Sequence, residues 1–172
     1  RRQYHPRAPL FPYTSAHSWT LVETEPADPS RCKQIESLFS LANGHLGLRG
    51  GYEEGVEGAS SCDAVFVNGF YDALPIKYPE AAFGFPLTED VLLPTPNPKP
   101  FKISITSPAG EEFFGLGSGT ITDYSRTLDM ATAQLSRELL WTSPSGLQLK
   151  IQSVRTVHQT RTYLALFRYE FT

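Results

Sequence analysis

Gln134-Leu-Ser-Arg-Glu-Leu-Leu-Trp-Thr142 and, one short turn later, Leu147-Gln-Leu-Lys-Ile151 decide the fold class. In the second segment Leu147, Leu149 and Ile151 alternate with Gln148 and Lys150. A repeat of two places side chains on opposite faces of an extended chain, one dry and one wet. Working outward, Thr120–Leu128, Leu147–Val157 and Tyr163–Phe171 also read as strands. Their separators are short and polar, among them Ser143-Pro-Ser-Gly146 and His158-Gln-Thr-Arg161. Short turns between such strands make antiparallel hairpins. Several hairpins predict an all-β fold, an antiparallel β-sandwich of two packed sheets.

Upstream the pattern is less regular. Phe101–Thr106 alternates, Pro108-Ala-Gly110 turns the chain, and a short strand is expected near Glu112–Gly115. Leu74–Pro100 holds seven prolines and reads as mostly loop, with a short strand at Asp90–Leu93. A loop of that length is often functional or packed on another part. Ala64–Tyr71, rich in Val and Phe, reads as a strand containing Asn68-Gly69. Ile35–Leu48 is ambiguous by period; Asn43-Gly44 favours two short strands about a turn. Trp19–Glu23 is a first strand. Residues 1–18, with Pro6, Pro9 and Pro12, read as an extended arm on the domain formed by 19–172. A proline-spaced ligand for a peptide-binding module is the weaker alternative.

Length and composition bound the function. The 172 residues suit one domain or a large piece of one. Fifteen Lys and Arg stand against eighteen Asp and Glu, so the basic excess of a nucleic-acid binder is missing. No apolar run is long enough for a membrane-spanning helix, and Arg1–His17 has no apolar core of a secretory signal. Cys32 and Cys62 are too few for a disulfide scaffold and read as two thiols. Charged residues are 19% of the chain against ~25% in an average soluble protein.

No spacing assembles a catalytic centre. Gly115-Leu-Gly117-Ser-Gly119 lacks the phosphate-loop spacing and the following helix, so it reads as a turn. His5, His17, His45 and His158 are dispersed, and no metal site is expected. Glu53-Glu54 supplies carboxylates, but neighbours in an extended strand point to opposite faces and do not form an acid–base pair. The plainer expectation is a solvated turn with a salt bridge. Asp129 is expected to cap backbone N–H groups or to pair with Arg126 at a strand end.

Several motifs in order nevertheless carry a resemblance. Glu36-Ser-Leu-Phe-Ser-Leu-Ala-Asn-Gly-His-Leu-Gly-Leu-Arg-Gly-Gly-Tyr-Glu-Glu54 is followed by Val67-Asn-Gly-Phe-Tyr-Asp72, Asn97-Pro and the strand Phe101–Ile105. Arg126-Thr-Leu-Asp-Met130, Leu135-Ser-Arg137, Trp141 and Arg155-Thr-Val come next, and Trp19 precedes them all. Across roughly Trp19–Phe171 this series resembles the start of glycoside hydrolase family 65, the family of maltose, trehalose and kojibiose phosphorylases and acid trehalases. His158 departs from the pattern, standing where a small hydroxyl residue is common.

The resemblance implies a large, galactose-mutarotase-like supersandwich ahead of an (α/α)6 barrel, with this chain holding part of the sandwich. It implies that catalytic residues belong to the barrel and that none lies here. The parent enzyme would invert an α-glucoside disaccharide, with inorganic phosphate as co-substrate if a phosphorylase and no other cofactor. Expected partners are the remaining sandwich and barrel, a second copy in a homodimer and the disaccharide. The expected compartment is the cytoplasm, or a secreted or vacuolar one for an acid trehalase. Candidates for the substrate rim or a domain interface are Asn43, Arg49, Tyr52, Glu53, Glu54, Tyr71 and Asp72, with the loop Leu74–Pro100. The alternative is a free-standing carbohydrate-binding β-sandwich. The strand Tyr163–Phe171 is expected to lie at an open edge.

Overall fold

The computed structural model describes residues 19–26, 29–56, 63–80, 82–99, 101–108 and 110–172. The expected arm at 1–18 and Cys62 lie outside them. In chain order the elements are β1 (Thr20–Glu23), α1 (Cys32–Leu38), β2 (Leu41–Ala42), β3 (Leu46–Leu48), β4 (Val65–Pro75) and β5 (Thr88–Thr95). They continue with β6 (Ser104–Ser107), β7 (Gly110–Phe113), β8 (Thr120–Asp129), β9 (Gln134–Thr142), β10 (Gln148–Val157) and β11 (Ala165–Phe171).

The period-two segments build the larger sheet, in the antiparallel order β1-β8-β9-β10-β11. Leu135, Leu139 and Trp141 on β9, Leu128 on β8, and Ile151 and Val157 on β10 face inward and are buried. A second antiparallel sheet, β2-β3-β4-β5, contributes Leu41, Leu48 and Val65 to the same core. The hairpin β6-β7 forms a third, two-stranded sheet, and Phe114 just beyond it enters the core. The core lies between the two larger sheets, as the alternation requires. Among the described residues β11 pairs with β10 alone and β1 with β8 alone, so each is an edge of the five-stranded sheet.

Three upstream expectations need correction. Residues 32–38 are helix, so the start of 35–48 is not strand. Cys32, Ile35 and Glu36, with Phe39 just after, recur at helical spacing and are buried. The helix ends at once, with the Phe39 N–H donating to Ile35 O at 3.0 Å. Only 41–48 is the expected hairpin about Asn43-Gly44. The proline-rich 74–100 is mostly loop, as expected, but its strand outruns 90–93: β5 covers Thr88–Thr95, pairs with the end of β4 and carries Pro94, which an edge strand tolerates. β4 runs through Asn68-Gly69, as the strand reading expects, with a register shift between Phe66 and Tyr71. Finally, the strand expected over 101–106 begins at Ser104, since the Phe101 N–H donates instead to Glu53 O at 3.0 Å.

Gly50 lies where the helix end meets the segment after β3. A Cβ there would stand 2.6 Å from the backbone carbon and oxygen of Phe39. The Gly50 N–H donates to Glu36 O at 2.6 Å, so neither backbone is free to retreat. Gly50→Ala is expected to cost about 1–3 kcal/mol, the range for overpacking, read as a shift of the urea midpoint.

Candidate functional site

Register alone collects the polar residues of the interior. Glu23 on β1 pairs with Arg126 on β8, Arg126 with Arg137 on β9, Arg137 with Ser153 on β10, and Ser153 with Tyr169 on β11. One polar row therefore crosses all five strands. On one side it is flanked by Leu21, Leu128, Leu135, Arg155 and Phe167, the next inward residues along the same strands. Three arginines on adjacent strands would repel one another if left alone. Each is almost wholly buried, which demands close anions and acceptors.

The segment Gly50–Glu54 supplies them from the opposite side. Its carbonyls accept first. Arg126 donates to Gly50 O and to Gly51 O, and Arg155 Nη2 donates to Gly51 O at 2.7 Å. Glu53 then bridges Arg137 and Arg155, each at 3.4 Å. Glu54 takes Arg137 in a two-pronged pair, with Nη1 on Oε1 and Nη2 on Oε2 at 2.9 Å. The two neighbouring carboxylates thus converge on one guanidinium. The expectation of opposite faces and a solvated turn fails, because residues 52–55 form a closed turn in which the Gly55 N–H donates to Tyr52 O at 3.1 Å.

Electrostatics follow from this crowding. Burial pushes the Glu53 carboxyl up, but Arg155, Arg137 and Arg126 outweigh it and hold the group below the usual carboxylate range. Burial pushes the Tyr52 and Tyr124 phenols up. They stay protonated and donate to Glu23, Tyr52 at 2.8 and 2.9 Å and Tyr124 at 2.9 Å. Arg126 lies 3.8 Å from Glu23 and stacks over the rings of Tyr52 and Phe39, 4.4 and 4.9 Å from their centroids. Beside this cluster Lys99, 1% exposed, donates to Asp63 and to Arg49 O. Asp63 also accepts from Gly51 N and Asn97 Nδ2.

A cleft of about 330 Å³ opens next to the network. Among the described residues its wall includes Tyr52, Glu53, Glu54, Asp63, Asn97 and Phe101. Tyr52, Glu53 and Glu54 are thus brought together, and the other sequence candidates stand apart from them. Asn43 ties the β2–β3 turn to the β10–β11 connection, donating to His158 O and Thr162 O at 2.8 and 3.0 Å. Arg49 donates to Ser37 Oγ at 2.8 Å and lies 3.9 Å from Glu36, holding α1. Tyr71 and Asp72 are exposed on β4, where the Tyr71 hydroxyl donates to Asn68 Oδ1 at 2.9 Å and Asp72 accepts from Ala73 N. Asp129 caps the β8–β9 turn as expected, accepting from Ala131 N at 2.9 Å and Thr132 N at 3.3 Å.

Sequence reasoning named the acidic segment but gave no role to Glu23, Asp63, Lys99 or Tyr124, offered Arg126 only as a partner for Asp129, and placed none of the three arginines in the interior. A signal was present: an arginine on the inward phase of an alternating strand, repeated in three strands. Among the described residues no group of three His, Cys, Asp or Glu side chains is placed to hold a metal ion, and no helix is long and apolar enough to cross a membrane.

Known proteins resemble this chain in sequence and in fold. The chain is 34% identical over 161 residues to an α,α-trehalose phosphorylase of Thermoanaerobacter brockii, covering 92% of this chain and 20% of that one. It is 33% identical over 151 residues to an uncharacterized glycosyl hydrolase of Mycobacterium tuberculosis, covering 88% and 18%. A solved structure assigned as a kojibiose phosphorylase from the human microbiome superimposes with a TM-score of 0.73 at 22% identity, covering 89% of this chain and 19% of that one. The chain therefore spans about a fifth of the length of the relatives it matches. The profile of glycosyl hydrolase family 65, N-terminal domain, matches residues 22–172, and the chain belongs to that family.

Proposed function

We propose that the chain is the non-catalytic N-terminal β-sandwich of an enzyme that cleaves an α-linked glucose disaccharide with inversion. Trehalose, kojibiose and maltose are the candidate substrates. A carboxylic acid elsewhere in the parent protonates the leaving oxygen while phosphate, or water, attacks C1 from the opposite face. The observation that carries this reading is the commitment of the local carboxylates. Glu53 and Glu54 are both locked by arginines, and the Glu53 carboxyl is held below its ordinary range. A general acid needs the contrary, a carboxyl raised toward neutral pH.

In this reading the ionic network fixes the shape of the sandwich, and the sandwich supports the barrel and the pairing of two parent chains. Tyr71, Asp72 and the β4–β5 hairpin face outward as interface elements, and Glu54 borders the cleft. Phosphate is the co-substrate if the parent is a phosphorylase, and the cytoplasm is its compartment. The parent protein is expected to consume phosphate or release glucose from one of the three disaccharides, and the chain alone to do neither. Turnover by the isolated chain that disappears in Glu53→Gln or Glu54→Gln would overturn the proposal.

A further inference from the structure

The β4–β5 hairpin is built unlike the rest of the fold. Among the described residues β3 pairs only with Val65–Val67 of β4, so from Gly69 onward the hairpin is a two-stranded ribbon. From Asn68 to Pro75 every residue of β4 is exposed, on both faces of the strand. A two-stranded ribbon is at best marginally stable in water by itself. Yet its tip is ordered by its own contacts. The Ile76 N–H donates to Leu87 O at 3.0 Å, the Tyr78 hydroxyl to Pro86 O at 3.0 Å, and the Tyr78 and Phe85 rings lie 5.0 Å apart. Held in that shape, Phe83 is fully exposed and Leu87 is 82% exposed, with Phe70, Tyr71, Leu74 and Phe85 along the same ribbon.

An apolar patch of this kind marks a surface that is covered. Its charge says by what. Asp72, Glu80, Glu89 and Asp90 stand on the ribbon against one cation, Lys77. Two such ribbons set side by side would repel, which argues against a symmetric contact between copies. A basic-rimmed apolar face is the complement. The matched relatives carry about four-fifths of their length outside the region this chain matches. A face on that remainder, tethered in the same polypeptide, meets the ribbon at an effective concentration of about millimolar.

We infer that the β4–β5 ribbon is a docking arm whose Phe83–Leu87 tip inserts into an apolar face rimmed by Lys or Arg on the remainder of its own parent chain. The inference rests on the reading of this chain as part of a longer enzyme.

Hydrogen exchange on the intact parent tests it. Amides of 76–87 should exchange at least about tenfold faster in the F83D/L87D variant than in the wild type, at every protein concentration. E89K/D90K, which leaves the tip intact, should speed the same amides by a smaller factor. Carbodiimide coupling of the wild type should join Glu89 or Asp90 to a lysine of the same chain beyond residue 172. Equal exchange in wild type and F83D/L87D would overturn the inference, since the protection would then be the ribbon's own. Protection lost on dilution, together with halving of the mass, would overturn it in favour of a second copy. Disaccharide cleavage by the same wild-type sample tests the functional reading separately: an inactive parent with the expected exchange pattern supports the arm and overturns only that reading.

Discussion

Arg137→Met is expected to cost about 3–5 kcal/mol, the range for removing one partner of a buried ion pair. That is a large part of the ~5–15 kcal/mol that holds a typical domain together. The reason is the number of anions that depend on this one side chain. Glu54 has both oxygens on it, and Glu53 shares it with Arg155. Arg126→Met leaves Glu23 better provided for, because the Tyr52 and Tyr124 hydroxyls still donate to that carboxylate. The Arg137 variant should therefore unfold at the lower urea concentration of the two. Arg137→Lys should recover only part of the loss, since an ammonium cannot offer the planar fork that grips both oxygens of Glu54. Adding Glu54→Gln to Arg137→Met should cost less than the two changes summed, with a coupling of about 1–3 kcal/mol in the double-mutant cycle.

The same network sets an acid limit. The folded Glu53 carboxyl lies below its unfolded value, which is near 4.3 for an unperturbed Glu. Its contribution is fully present above the unfolded value and is lost as the pH falls through the folded one. Glu53→Gln should be less stable than the wild type at pH 7 and should lose less on acidification below about pH 4, where the wild-type group begins to protonate. A wild-type curve no steeper than that of the variant in this window would show that Glu53 does not set the limit.

The sequence made the larger sheet legible for a physical reason. β8 to β10 alternate buried and less buried positions, and β11 half-buried and exposed ones, over seven to ten residues each, and short turns separate them. Period two is a property of each strand by itself, so a local pattern suffices. α1 failed the same test because seven residues show barely two turns, and Asn43-Gly44 nearby argued for a hairpin. The ribbon was hidden by Pro75, Pro79 and Pro86, which mark strand ends and the tip as readily as they mark a loop. The polar row was beyond any local reading. Glu23, Arg126, Arg137, Ser153 and Tyr169 share a line only through the registers of four strand pairs. Glu53-Glu54 stands out locally for its adjacent acids, but the arginines that hold the segment Gly50–Glu54 lie more than seventy residues away in sequence, as in the Arg126 bond to Gly50.

Trp141→Ala is expected to match the Arg137 variant in size by a different mechanism, at about 3–5 kcal/mol for a large aromatic truncated in a core. Trp141 is the largest fully buried side chain. It lies between Ile121 of β8 and Leu149 of β10 in register, and Phe114 meets it edge-on at 5.5 Å. Its indole N–H donates to Ser118 O in the glycine-rich turn before β8, so the ring ties that turn to the sheet. Alanine would therefore leave a cavity under three strands and an unpaired carbonyl at its rim. Trp141→Phe separates the two losses. It keeps most of the ring volume and removes the donor, which by itself is worth about 1 kcal/mol. On a chain of this size the alanine variant should melt on the order of 10 °C lower, at ~2–4 °C per kcal/mol, and the phenylalanine variant markedly less. Far-UV circular dichroism follows both without relying on tryptophan emission. Equal melting of the two variants would mean that the bond to Ser118, not the packing of the ring, holds this corner of the core.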